Sequence, residues 1–355
     1  VTAQRDAQPV TAQQGAEQPH AQRDAEQPHA QRDAEQPHAQ RDAEPPSWLV
    51  TGAGGMLGRD LVAVLTARQR GRVTAATRAE VELTDPAAVR AAVAGHDIVV
   101  NAAAWTDVDG AEQQEAAATA VNGTGVANLA AACAEAGARL VHVSTDYVFA
   151  GDADRPYPED APTAPINAYG RSKLVGELAV ARLLPQTGYL VRTAWLYGAH
   201  GPNFVTTMLR LAAVRPYLDV VDDQLGQPTW SYALAERLAD LGAAAHRSAA
   251  PAGVYHGTAS GRTSWYGLAR EVFARTGLDP ERIRPTSSDR FPRPARRPGY
   301  SVLGHAGWSR AGLAPMADWR AMLADALRPD GTLGTARRPP APSDATEDRI
   351  GSGSR

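Results

Sequence analysis

The chain has 355 residues, 43% of them hydrophobic, a formal net charge of −3 and one cysteine. That length holds two ordinary domains, or one large core with an appended lobe. The lack of a basic excess argues against nucleic acid as a partner, and a lone Cys133 excludes an internal disulfide framework and fits a reducing compartment.

Cys133 lies in the apolar helical run "VANLAAACAEAG". Packing accounts for it better than a nucleophilic role, because nothing nearby would generate a thiolate. No stretch approaches the roughly 20 apolar residues that span a bilayer, and the N-terminus lacks the apolar region of a signal peptide. A cytoplasmic protein with no membrane partner is the expectation.

Residues 1–46 read as a disordered tail. "AQRDAEQPH" occupies 21–29 and again 30–38, and "AQRDAE" restarts it at 39–44. A nine-residue repeat with a proline in each unit and almost no large apolar side chain cannot offset its ordering entropy. Its periodic His20, His29 and His38 have no second ligand type beside them, so they predict no metal site. Residues 329–355 read as a second disordered tail.

Between the tails, strands and helices alternate. "SWLVTG" is a strand, "LGRDLVAVLTAR" a helix and "RVTAAT" a strand. "DPAAVRAAVAG" is a helix with Asp85 as N-cap and Pro86 at its first position. "DIVVNAAA" is a strand, "NGTGVANLAAACAEAG" a helix and "RLVHVST" a strand. Near-continuous apolar strands alternating with helices predict a parallel sheet covered on both faces. Residues 47–195 form that dinucleotide-binding unit. From 196 to 328 the pattern is less regular and richer in Pro, Trp and Tyr, as in a smaller substrate-binding lobe.

"VTGAGGMLGRDL" places Gly52, Gly55 and Gly58 immediately after the first strand and at the start of the first helix. Glycines there let a pyrophosphate approach the backbone, and the helix N-terminus supplies free N–H groups. The second strand ends in "AATRAE", with no Asp or Glu for a ribose 2′-hydroxyl but with Arg78 placed for a 2′-phosphate. This favours NADPH, with NADH as the alternative.

"NAAAWTDVD" is expected to follow the fourth strand and "STDYVF" the fifth, so that both converge where ligands bind in open α/β sheets. "AYGRSKLVGE" then sets Tyr169 and Lys173 four apart on one helix face. A ketone accepting hydride needs a proton on its oxygen and a donor to hold it. Tyr169 supplies the proton, and the Lys173 ammonium is expected to lower its pKa from the ordinary value of about 10. Thr145 orients the carbonyl.

The glycine loop, "NAAAWTDVD", "STDYVF" and "YGRSK" together resemble the extended short-chain dehydrogenase/reductases, and within them the dTDP-4-dehydrorhamnose reductase family. The resemblance continues through "VRTAWLYG", "NFVTTMLRLA", "DQLGQPTW", "GVYHGTASGRTSW" and "RRPGYSVL", covering roughly residues 48–328. It implies an α/β fold with a Rossmann-type doubly wound parallel sheet and a smaller C-terminal substrate-binding lobe. It also implies reduction of a dTDP-4-keto sugar and allows a homodimer.

Carried over residue by residue, the resemblance implies Thr145, Tyr169 and Lys173 as the catalytic trio. For the cofactor it implies Gly52, Gly55, Met56, Leu57, Gly58, Arg78, Glu82, Leu83, Ala103, Ala104, Trp105, Thr106, Val143, Tyr169 and Lys173. For the substrate it implies Thr106, Val108, Thr145, Asp146, Tyr147, Trp195, Asn203, Gln227 and Arg297. Glu82 stands where the family usually has Asp. Asp60 stands where some relatives place a magnesium-binding Glu, and no metal is carried over.

Several readings stay open at this level. Trp265 packs or binds. Gln224 and Gln227 shape a loop or touch sugar or nucleotide. Arg297 faces a diphosphate or solvent. His142 reads as a core histidine. A related antibiotic-pathway reductase, such as one forming dTDP-dihydrostreptose, shares fold and trio. A non-catalytic regulatory relative would have lost the trio, and an epimerase or dehydratase would differ at the strand ends.

Overall fold

The computed structural model describes residues 45–333; the repeat and most of the C-terminal tail lie outside them. Six parallel strands form the sheet: β1 (Trp48–Thr51), β2 (Val73–Ala76), β3 (Ile98–Asn101), β4 (Arg139–Thr145), β5 (Gly188–Thr193) and β6 (Gly253–His256). Their order across the sheet is β6-β5-β4-β3-β1-β2. Successive residues along each strand alternate which face they fill. Trp48, Val50, Ile98, Val100 and Val141 join one core cluster, whereas Leu49, Val99 and Leu140 join the other. Burial on both faces is why these strands read as unbroken apolar runs.

Helices α1 (Met56–Ala67) and α2 (Pro86–Val93) follow β1 and β2. Asp85 caps α2 by accepting from the backbone N–H of Ala87 and Ala88, as the Asp-Pro pair predicts. After β3 come two short helices and a π-helical turn, Ala120–Gly125, before α3 (Val126–Ala136). The regular helix thus begins four residues beyond the start expected at Asn122. The Asn122 amide is turned across to Trp105 and Ser172. Then come α4 (Ala168–Leu183), α5 (Phe204–Ala212) and α6 (Ser231–His246).

One count is corrected. "NAAAWTDVD" follows the third strand and "STDYVF" the fourth, because residues 77–85 turn directly into α2 without adding a strand. The strand order reverses at β1 and β3, with β2 on one side of β1 and β3 on the other, and ligands in such folds sit outside the strand ends at that point. The sixth strand comes from beyond residue 195: Gly253–His256 pairs with β5 in the register Tyr255↔Val191. Among the described residues no helix is long and apolar enough to cross a membrane.

Candidate active site and its relatives

At the reversal point the sheet opens into a cleft of about 1160 Å³. Its floor is the glycine loop. Gly52 has φ +74°, and a Cβ there would sit 2.5 Å from the Ala103 nitrogen, so only glycine lets β1 turn this close to the end of β3. At Gly58 a Cβ would meet the Gly52 carbonyl oxygen at 2.2 Å, which fixes α1 tightly against the loop. Gly55 caps α1 with no side chain, leaving its first amides open to the cleft. A backbone cradle and an uncapped helix N-terminus fit a pyrophosphate.

Every residue expected on the cofactor wall except Trp105 lines this cleft. The Trp105 ring instead packs with Tyr169 against Ala111, Ala118 and Ala168, and its indole N–H donates to the Asp107 carbonyl. Its backbone is clamped in both directions by the Asn122 amide, at 2.8 and 3.1 Å. Arg78 is 84% exposed on the rim, with its Nε 3.0 Å from Glu82. Glu82 stays below the usual carboxylate range because the Thr84 backbone N–H and then Arg78 bond it. A second rim cation, Arg59, lines the cleft and donates from Nε to the Gly54 carbonyl at 3.0 Å.

The inner end holds the expected trio. β4 ends in Thr145, whose hydroxyl donates to Asp146 at 3.1 Å and accepts the Tyr147 N–H. The Asn167 cap starts α4 by accepting the Gly170 N–H at 2.8 Å, which turns Tyr169 and Lys173 toward that strand end. Burial, then the Asp146 charge, push the Tyr169 hydroxyl up to about 12, and a hydrogen bond with Thr145 opposes them. The Lys173 ammonium does not lower it, contrary to expectation. Nζ instead donates to the Val143 carbonyl at 2.7 Å and lies 3.4 Å from His142 Nε2. Burial brings Lys173 itself down to about 8, against the pull of Glu177. Lys173 is the only lysine in the sequence.

Asp146 is buried and its carboxyl is raised to about 6 by desolvation, with hydrogen bonds from Ser301 and Thr145 opposing. Its Oδ2 and the Ser144 hydroxyl on the cleft wall are buried with no hydrogen-bond partner among the described residues. The Ser144 hydroxyl is a polar group that a ligand in the cleft would satisfy.

The substrate set is only partly gathered. Thr106 lines the cleft, whereas Thr145, Asp146 and Tyr147 lie against Tyr169 without lining it: Thr145 hydrogen-bonds Tyr169, Asp146 follows Thr145, and the Tyr147 ring meets Tyr169 edge-on at 6.0 Å. Val108 begins a short helix beside them. Arg297 is committed to an ion pair with Asp109 at 3.0 Å. Trp195, in a left-handed backbone conformation, stacks on Trp265 at 3.6 Å, which gives Trp265 a packing partner. Gln224 accepts from the Trp265 indole.

Two further residues of this set hold structural hydrogen bonds. Asn203 is the cap of α5, accepting the Thr206 N–H at 3.1 Å. Gln227 is buried, and its amide is used by the Leu303 backbone and the Thr258 hydroxyl. In both cases the side chain is spent on shaping a loop.

Sequence reading missed Ser144, Thr193 and the turn Ala199–Pro202 on the cleft wall. The Gly-Pro content of "GAHGPN" was the available signal. Asp60 is turned inward, accepting from the Ser231 hydroxyl, with His200 at 3.7 Å. No group of three or more His, Cys, Asp or Glu that could hold a metal occurs among the described residues.

Comparison with known proteins places the chain in a family. The family model for the RmlD substrate binding domain matches residues 47–331. A dTDP-4-dehydrorhamnose reductase of Streptomyces griseus is 55% identical over 296 residues, 83% of this chain and 96% of that protein. A dTDP-4-keto-6-deoxy-D-glucose reductase of Streptomyces niveus is 52% identical over 282 residues, 79% of this chain and 96% of that protein. The crystal structure of dTDP-4-dehydrorhamnose reductase from Bacillus anthracis in complex with NADP superposes with a TM-score of 0.74 at 35% identity, covering 78% of this chain and 97% of that one. The chain belongs to the dTDP-4-dehydrorhamnose reductase family of NAD(P)H-dependent oxidoreductases, within the extended short-chain dehydrogenase/reductases.

Proposed function

We propose that the chain reduces the 4-keto group of dTDP-4-dehydro-L-rhamnose to give dTDP-L-rhamnose, with NADPH as reductant. The observation that carries this is that Tyr169 and Lys173 line the cleft that the glycine loop floors, with Thr145 in hydrogen-bond contact with Tyr169. A reduced nicotinamide dinucleotide held there supplies the hydride. Gly55, Met56 and Leu57 hold its pyrophosphate at the α1 N-terminus, and Arg78 faces the 2′-phosphate.

Tyr169 arrives fully protonated at neutral pH, since burial and Asp146 raise it. Its hydroxyl gives that proton to the carbonyl oxygen as the carbon accepts hydride. The Thr145 hydroxyl turns from Asp146 to hold the same oxygen. The alcohol, the oxidised nicotinamide and the Tyr169 oxyanion balance the step, and the oxyanion takes a proton back from solvent.

A second reading is supported by the 52% identity to the Streptomyces niveus protein. A different antibiotic-pathway dTDP-4-keto-6-deoxyhexose would use the same trio. The test follows NADPH oxidation by the full chain with dTDP-4-dehydro-L-rhamnose and identifies the product by NMR. Formation of dTDP-L-rhamnose, reduced by at least about 10²-fold in Tyr169→Phe, supports the reading. Turnover only with a different 4-keto sugar moves the protein to the antibiotic branch. Tight NADPH binding with no turnover on any such ketone overturns both.

A further inference from the structure

A line of buried polar side chains runs beneath the cleft from β1 to α4: Thr51, Asn101, His142 and Lys173, each no more than 1% exposed. Asn101 Oδ1 accepts the Thr51 hydroxyl at 2.8 Å and the Ala103 N–H at 3.0 Å. A backbone N–H can only donate, so turning the amide over would set two donors against each other. The Asn101 amide is therefore fixed, and its NH2 faces His142 Nδ1 at 2.9 Å. That NH2 also only donates, which makes Nδ1 the acceptor and leaves the ring hydrogen on Nε2. Nε2 points at Lys173 Nζ, 3.4 Å away.

This arrangement suits an amine and opposes an ammonium, which has three donors and no lone pair. The imidazole does not escape by taking a second proton, because burial and the neighbouring Lys173 hold it well below the usual histidine range. The remaining charged neighbours do not undo the effect. Glu177, on the same helix, favours the ammonium, but its carboxylate is already held by Arg192 from β5 at 2.7 Å. Val143 accepts from Nζ in either state. Every other side chain of the lysine–arginine pair is arginine, and arginine keeps its proton at all working pH values. Among the lysine and arginine side chains, Lys173 alone has a proton it can release.

We propose that Asn101 locks His142 as the tautomer that presents an N–H to Lys173, making His142 a positioning residue that keeps the Lys173 proton labile. The consequence for turnover rests on the reductase reading; the hydrogen-bond logic does not.

The test uses the full chain labelled with 15N-histidine and 13C-lysine. With one lysine, the side-chain signal is assigned without further work. Long-range 1H–15N correlation is expected to show His142 bare at Nδ1 and protonated at Nε2 throughout neutral pH. A hydrogen on Nδ1, or an imidazolium, overturns the proposal. Asn101→Asp replaces the donor with an acceptor, so the ring hydrogen moves to Nδ1 and Nε2 becomes an acceptor. The Lys173 titration is then expected to rise from about 8 with at least a tenfold gain in proton affinity. An unmoved titration, or a hydrogen that stays on Nε2, overturns it. Should that variant not fold, the wild-type ring measurement decides alone. None of these readouts depends on turnover, so they stand apart from the choice of sugar.

Discussion

At the scale of single residues the site is a set of protonation states imposed by burial. Asp146 is the clearest case for a stability measurement. Its carboxyl lies at about 6 in the fold against an ordinary 3.8, with desolvation as the largest cause. A group whose folded value is raised contributes stability fully below the unfolded value and loses it as pH rises through the folded one. The window is therefore pH 3.8 to about 6, and the loss across it is on the order of 2–3 kcal/mol. Asp146→Asn should flatten the urea-unfolding free energy across that window. An unchanged slope would put the acid-range dependence on another group. At the cleft rim, Arg78→Ala should lower the preference for NADPH over NADH about tenfold, or about 1.4 kcal/mol in binding, read by titration calorimetry. If the ratio holds in Arg78→Ala but falls in Arg59→Ala, the 2′-phosphate lies against the second cation.

At the scale of elements, the parts governed by local chemistry were legible in the sequence. The Asp85–Pro86 start of α2 and the strands β1, β3 and β4 follow from caps and apolar runs. So does the glycine loop, whose strand–turn–helix context is short-range. Of the two implied substrate residues that hold structural bonds, Gln227 has partners far along the chain and Asn203 has local ones. Gln227 sits in a Gly-Pro loop that suggests a ligand, but its partners are Leu303 and Thr258. Asn203 precedes an amphipathic run and was a cap by its own rules. The structure closes a full capping box there, with the Thr206 hydroxyl accepting the Asn203 N–H at 3.3 Å. These two readings part experimentally. Asn203→Ala should cost about 1 kcal/mol in unfolding free energy and leave KM for the sugar nucleotide within about twofold. A KM rise without loss of stability would return Asn203 to the substrate.

At the scale of the molecule, the change of pattern at Trp195 marks a change of composition, and we expect it not to mark an independent folding unit. β6 is drawn from residues 253–256 and closes one edge of the sheet on β5. The Thr193 hydroxyl donates to the Gly257 carbonyl at 2.8 Å, tying the end of β5 to the chain that leaves β6. α6, from residues 231–246, lies so close to β1 that a Cβ at Gly242 would meet the Trp48 ring at 2.6 Å. Trp308 is fully buried and its indole donates to the His256 carbonyl at 2.8 Å. Residues 45–195 alone would leave Trp48, Val50, Ile98 and Val100 without the helix that covers them, and β5 as a bare apolar edge. Such a face is an aggregation surface, not a domain boundary. The expected outcome is that a 45–195 fragment shows no cooperative urea transition and binds a hydrophobic dye, whereas 45–333 unfolds in one transition by both circular dichroism and tryptophan fluorescence. Two separated transitions in 45–333, with the fragment matching the first, would make the cofactor half a domain in its own right. The site would then be assembled between two units, where a single transition means that the sheet and the cover which shape it form together.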